Sequence, residues 1–180
     1  MNNTFTVYTI DNAPKESKPL LENAQSAFGM VPNFHAVLAE APAALEAYMK
    51  LHELVTQTSL TPIEQHVVWM TINTENECHY CTPAHVMLAV MSEVDESIIT
   101  AIRNKKKIDD EKLEALRVFT TLIVEKRGLV SEQELKAFYD AGYSKQNALE
   151  VILVLSQKTL SNYSNHITHV PVDEAFQPYV

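Results

Sequence analysis

From Pro14 onward, apolar residues recur at spacings of three and four, the period of a helix buried on one side. Leu20, Leu21, Ala24 and Phe28 mark a first helix, with Gly29 placed as its stop. Asn33 is positioned to cap a short helix to Glu40, which the Ala41-Pro42 step ends. A third helix is expected from about Pro42 to Gln57, with Leu45, Tyr48, Met49, His52 and Val55 along one side. Thr61-Pro62-Ile63-Glu64 reads as a helix start: a threonine N-cap, proline at the first helical position, and glutamate at the third to close a capping box. The segment that follows, to about Asn76, is rich in Val, Ile, Trp and Met and predicts burial on most sides. A helix starting near Cys78 then runs through Met91, followed by segments 94–104 and 109–126, the latter closed by Gly128. Ser131-Glu132-Gln133-Glu134 is a second capping box, opening a helix to about Ala141 with Gly142 as its stop. A long last helix, about 144–166, carries Ala148, Val151, Ile152, Leu155, Thr159 and Leu160.

Two stretches do not fit that period. Residues 4–10 (TFTVYTI) alternate in polarity and predict a short strand or an extended arm, which without a second strand must lie on helices or on a neighbouring subunit. The tail from Val170, with two prolines, predicts another extended arm. The expectation is one all-α domain over 1–180, with arms at 1–13 and 170–180. Composition agrees: 46% hydrophobic residues provide a core, and only three glycines argue against the positive-φ turns of a sheet protein.

A formal charge of −9 weighs against nucleic acid or an anionic membrane as partner, because both require clustered Lys and Arg. The one basic run, Arg103 to Lys107, is followed at once by Asp109, Asp110 and Glu111 and reads as a solvated helix junction. The opening MNNTFTVYTIDNAP has neither a basic nor an apolar signal region, and no apolar run reaches the roughly 20 residues of a membrane span. A cytoplasmic location is therefore expected, where a close cysteine pair is catalytic or metal-binding more often than a permanent staple.

The only two cysteines stand together in Glu77-Cys78-His79-Tyr80-Cys81-Thr82-Pro83-Ala84-His85. On a helix beginning near Cys78, both sulfurs and His85 fall within roughly 60° of one another. A helix N-terminus favours thiolate over thiol, so the pattern supplies an attacking sulfur, a resolving sulfur and a histidine to move a proton. Two other readings stand beside it. Cys78, Cys81 and His85 offer three zinc ligands, although no further cysteine completes a structural site. Alternatively, both thiols are inert members of the core. Trp69, Met70, Met87 and Met91 are expected in the core. Tyr80 is placed to shape access to the sulfurs. No phosphate-binding glycine loop is present, so no organic cofactor is expected.

The stretch LTPIEQHVVWMTINTENECHYCTPAH resembles the signature region of the AhpD-like, carboxymuconolactone decarboxylase family, whose redox branch carries Cys-x-x-Cys-x-x-x-His. VPNFHAVLAEAPAALEAY and NYSNHITHVPVDEAF resemble its peroxidase-related members. The resemblance implies an all-α AhpD-like bundle assembling as a trimer or hexamer, with a disulfide between Cys78, the more exposed thiol, and Cys81, the buried one. It implies a proton-relay role for His85. Where the family pattern has a relay glutamate, twelve residues before Cys78, this chain has His66, with Glu64 two residues earlier. The relay is thus expected to use His66, or to recruit Glu64, Glu75 or Glu77.

The function these features imply is a thiol oxidoreductase that cycles Cys78–Cys81 between dithiol and disulfide. It would reduce hydroperoxides, or relay electrons from a dithiol donor to a peroxiredoxin disulfide. The alternatives are a lactone decarboxylase, whose branch lacks the cysteine pair, and a redox sensor whose disulfide alters its oligomeric state.

Overall fold

The structure, a computed structural model, describes residues 5–180. Nine α-helices follow one another among them: α1 (Lys18–Phe28), α2 (Asn33–Leu38), α3 (Pro42–Thr56), α4 (Pro62–Glu75), α5 (Cys81–Met91), α6 (Glu96–Arg103), α7 (Glu111–Lys126), α8 (Glu132–Asp140) and α9 (Lys145–Thr168). A 3-10 helix, Glu174–Tyr179, ends the chain. No strand forms among the described residues.

The fourth helix of this order is the middle of the molecule. Every residue of α4 from Glu64 to Asn73 is buried, the polar Glu64, Gln65, His66, Thr71 and Asn73 included, and α5, α6, α7 and α9 pack around it. The larger apolar cluster joins α4 to α6, α7, α8 and the first half of α9, with Phe138 stacked between Phe119 and Tyr143 at 4.0 and 4.6 Å. A smaller cluster gathers Leu21, Phe34, Val37, Leu45, Tyr80, Val170 and Phe176, and both cysteines belong to it. The cysteine pair thus sits in apolar packing between α1–α3 and the chain's C-terminal end.

Both predicted capping boxes are present, at Thr61/Glu64 and Ser131/Glu134, and a third forms at Ser144/Asn147. Three expectations change. Residues 5–9 make no strand; the Tyr8 N–H donates to the Ala36 carbonyl at 3.4 Å (residue 4 lies outside the described residues). The tail is an extended arm only to Asp173, after which the 3-10 turn buries Phe176 against the smaller cluster. Asn33 does not cap α2: it is the first helical residue, and its N–H is received by Asp173, 140 residues away.

The scarcity of glycine also has a different cause from the one expected. Positive φ is common among the described residues, but five of their eight positions are Glu77, Glu93, Lys105, Arg127 and His169, each just beyond the end of a helix. A non-glycine residue held left-handed there costs on the order of 1 kcal/mol. At Glu77 the strain is offset by a closed Schellman motif, with Cys78 N–H to the Asn73 carbonyl at 3.0 Å and Glu77 N–H to the Thr74 carbonyl at 3.2 Å.

Candidate active site

That same motif fixes the first cysteine. Because α4 is closed off by Glu77, Cys78 lies in the turn between helices, and α5 begins at Cys81 rather than near Cys78. The Cys81 N–H, one of the free donors of the new helix, points at Cys78 Sγ from 3.3 Å. Both cysteines are free thiols. Neither reaches solvent, with Cys78 0% and Cys81 3% exposed, so the greater exposure implied for Cys78 is not found.

The opposite wall is α9. Its buried side starts with Val151 and Val154, then continues at the same spacing as Lys158, Ser161 and Asn165, flanked by Gln157 and Asn162. Asn165 Nδ2 donates to Cys81 Sγ at 3.1 Å and reaches Cys78 Sγ at 4.0 Å, while Ser161 Oγ stands 3.9 Å from Cys81 Sγ. Asn162 Nδ2 donates to Asn73 Oδ1 at 3.0 Å, and Asn73 Nδ2 donates to the Cys81 carbonyl at 3.3 Å. The turn is therefore held from α4 and α9 by amide side chains. The sequence reading missed these α9 residues. Their signal was the period itself: polar side chains at 158, 161 and 165 extend the buried stripe of Val151 and Val154.

The two thiols are pushed in opposite directions. At Cys81 burial opposes ionisation, but the Cys78 thiol, the Lys158 ammonium and the amides of Asn165 and Asn162 outweigh it and bring the pKa down to about 5. Cys78 is pushed well above the usual thiol range, first because its hydrogen is held by the Cys81 sulfur and then by burial and the Cys81 charge. These shifts favour negative charge on Cys81, with Cys78 as its hydrogen-bond donor.

His85 is buried, with Nε2 3.0 Å from Lys158 Nζ. Burial, then the Lys158 charge and those of His66 and His52, hold it neutral well below the ordinary histidine range. No hydrogen bond joins His85 to either sulfur among the described residues. Trp69 is the hub of this group: its ring lies 5.8, 5.5 and 5.3 Å from those of His52, His66 and His85. Its Nε1 donates to Gln157 Oε1 at 2.8 Å, and Gln157 Nε2 stands 3.1 Å from His52 Nδ1. His66 is brought into the group, buried, with its pKa lowered by burial.

The three carboxylates considered for the relay lie elsewhere. Glu64 accepts from Lys112 Nζ at 2.9 Å and from the Thr61 N–H at 2.8 Å; Glu75 accepts from Lys105 Nζ at 2.9 Å and Thr121 Oγ1 at 3.3 Å; Glu77 is exposed. Among the described residues no three of His, Cys, Asp and Glu converge as a metal-binding set.

The tail closes the site from above. Tyr80 donates to Asp173, which also receives the Asn33 N–H, and Tyr80 Oη accepts the Phe34 N–H at 3.2 Å. His79 Nε2 stands 2.9 Å from the Val170 carbonyl.

A family model described as carboxymuconolactone decarboxylase family matches residues 42–118, a segment that ends inside α7 and includes both cysteines and His85. That match spans 77 of the 180 residues, so the likeness to the family lies in the segment that carries the cysteine pair. The fold is AhpD-like. The AhpD core of a peroxidase-related protein from Ralstonia eutropha JMP134 superposes with a TM-score of 0.83 at 20% identity, over 96% of this chain and 93% of that one. A peroxidase-related protein from Silicibacter sp. TM1040 gives 0.80 at 16% identity, over 98% and 95%. The debrominase Bmp8, as a cysteine variant in complex with 2,3,4-tribromopyrrole, gives 0.81 at 16% identity, over 99% and 96%. At these identities the likeness is one of fold. No curated protein matches in sequence. No helix of the described residues is long and apolar enough to cross a membrane.

Proposed function

We propose that this protein is a thiol-dependent oxidoreductase in which Cys81 reduces a hydroperoxide and Cys78 resolves the product as a disulfide. One observation carries the reading: Cys81 Sγ accepts the Asn165 amide at 3.1 Å beside the Cys78 thiol, an arrangement that favours the thiolate at Cys81. The Cys81 thiolate attacks the outer oxygen of ROOH, the O–O bond breaks, and ROH leaves once it has gained a proton. The Cys81 sulfenic acid then accepts attack from the Cys78 sulfur, releasing water and forming the disulfide. Asn165 Oδ1 is buried without a partner among the described residues and is free to accept the hydroperoxide O–H. His85 handles the proton, with His66 close by. Glu64 is assigned to holding α4, through its bonds to Thr61 and Lys112.

A dithiol donor regenerates the pair; a peroxiredoxin disulfide in place of ROOH would make the same couple an electron relay. The protein acts in the cytoplasm as a trimer or hexamer, with neither nucleic acid nor membrane as partner. A second reading has support from Bmp8: the same nucleophile and resolving thiol suit reductive removal of a halogen from a haloaromatic.

Replacing Cys78 and Cys81 separately by Ser tests the scheme. Dithiol-driven consumption of an alkyl hydroperoxide is expected to vanish in both. Cys78→Ser should retain one reactive equivalent, trapped as a sulfenic acid on Cys81, and Cys81→Ser none. Turnover surviving either change would sink the mechanism. A decarboxylase would be indifferent to both variants, and a sensor would form the disulfide and change its assembly without turnover.

A further inference from the structure

The dithiol reading leaves one buried charge without a role. Lys158 is 1% exposed, inside the bundle on α9, and among the described residues no carboxylate forms an ion pair with it. A lysine is almost never buried so completely without an anion. The titratable groups around the site are Tyr48 and His52 from α3, His66 from α4, Cys81 and His85 from α5, Cys78 and Tyr80 in the turn, and Asp173 in the tail. The Asp173 carboxylate is taken by Tyr80 and the Asn33 N–H, so two phenols and two thiols are left to carry negative charge. Burial pushes both phenols up, and the Cys78 hydrogen is held by its neighbour, which leaves the Cys81 sulfur.

The hydrogen bond to His85 adds a direction. Lys158 has only donors to offer, so His85 Nε2 accepts at 3.0 Å and the ring proton sits on Nδ1. That Nδ1 is buried with no protein partner among the described residues. A proton can leave from Nδ1 while another enters at Nε2.

We propose that Lys158 is the counter-charge of the Cys81 thiolate and, through His85, the source of the proton taken by the oxygen that leaves when the hydroperoxide is reduced. This rests on the dithiol reading above and deepens it. The balance closes inside the site. Reduction of ROOH to ROH and water needs two electrons and two protons. The sulfurs give both electrons as the S–S bond forms, the Cys78 thiol gives one proton and the Lys158 ammonium the other. The site starts with one anion and one cation and ends with neither, so no unpaired charge is left buried after oxidation. A chain organised in this way has no need of a relay glutamate at the place where His66 stands.

Two experiments on the reduced protein test this. In the first, the thiolate absorbance is titrated with pH for wild type and for Lys158→Met, which keeps the length and loses the charge. The midpoint should rise in the variant by two pH units or more, roughly a hundredfold in proton affinity. An unchanged midpoint in a folded variant overturns the pairing. The second uses wild type alone and so does not depend on the variant folding: proton exchange is counted while diamide oxidises the dithiol in weak buffer near pH 7. A thiolate present beforehand and no net proton uptake are expected. No thiolate beforehand overturns the pairing, and uptake of one proton per disulfide overturns Lys158 as donor. Diamide requires no peroxidase activity. A protein that passes both tests yet leaves hydroperoxides untouched would refute the proposed function and leave Lys158 standing as the thiolate's counter-charge and as the proton donor on oxidation by diamide.

Discussion

Asn165, near the end of α9, donates its amide to Cys81 Sγ at 3.1 Å. A hydrogen bond to a charged group contributes about 1.5–3 kcal/mol, equivalent to roughly one to two pH units of thiolate stabilisation. Asn165→Ala should therefore move the Cys81 thiolate midpoint up from about 5 by that amount. Alkylation by iodoacetamide should slow most in mildly acidic buffer and approach the wild-type rate in alkaline buffer. Equal rates across the whole pH range would remove Asn165 from the site.

Asp173 latches the C-terminal segment over the cysteines by accepting from Tyr80 and from the Asn33 N–H. With the sulfurs 0% and 3% exposed, reagents reach them through local opening, and the latch sets how often that happens. Asp173→Ala is expected to cost about 2–3 kcal/mol in denaturant unfolding and to speed alkylation of both thiols. The thiolate midpoint should stay where it is, because no atom of Asp173 bonds to either sulfur. A slower or unchanged alkylation rate would show that access follows another route.

The helices were legible because their period and their caps are local: Thr61 and Glu64, or Ser131 and Glu134, are three residues apart. The cysteine pair was legible for the same reason. What escaped reading joins distant parts of the chain. Asp173 caps α2 from 140 residues away, which no local pattern near Asn33 announces. Lys158, Ser161 and Asn165 look like a polar helix face, and polar faces ordinarily meet water; only the continuation of the Val151–Val154 stripe marks them as buried. Glu77 carries no signal for positive φ, since the Schellman bonds that impose it are made by backbone groups common to all residues.

Glu64 provides a contrast within the signature region. Its carboxylate closes the capping box of α4 and meets Lys112 at 2.9 Å, where half of the lysine side chain is in water and the ion pair itself adds little. Glu64→Gln should lower stability by about 1 kcal/mol, the usual cost of weakening a cap, and leave hydroperoxide turnover within about twofold. A large loss of turnover with the fold intact would return Glu64 to the proton relay.

The buried histidines give the fold an acid limit. His35, His52, His66 and His85 all have pKa values below the ordinary histidine value, in each case first because burial disfavours the charged ring. His35, stacked 5.8 Å from Phe28, is brought from 6.5 to about 4. Between those values the unfolded chain binds a proton at this position and the folded chain does not, so stability falls as pH falls through the window. His35 alone should remove roughly 2 kcal/mol by pH 5 and about 3 kcal/mol by pH 4. Urea midpoints measured on the disulfide form, where no thiolate contributes, isolate the effect. His35→Phe should flatten the profile between pH 6.5 and 4 by about that amount, and a variant as acid-sensitive as wild type would assign the limit to the other three rings.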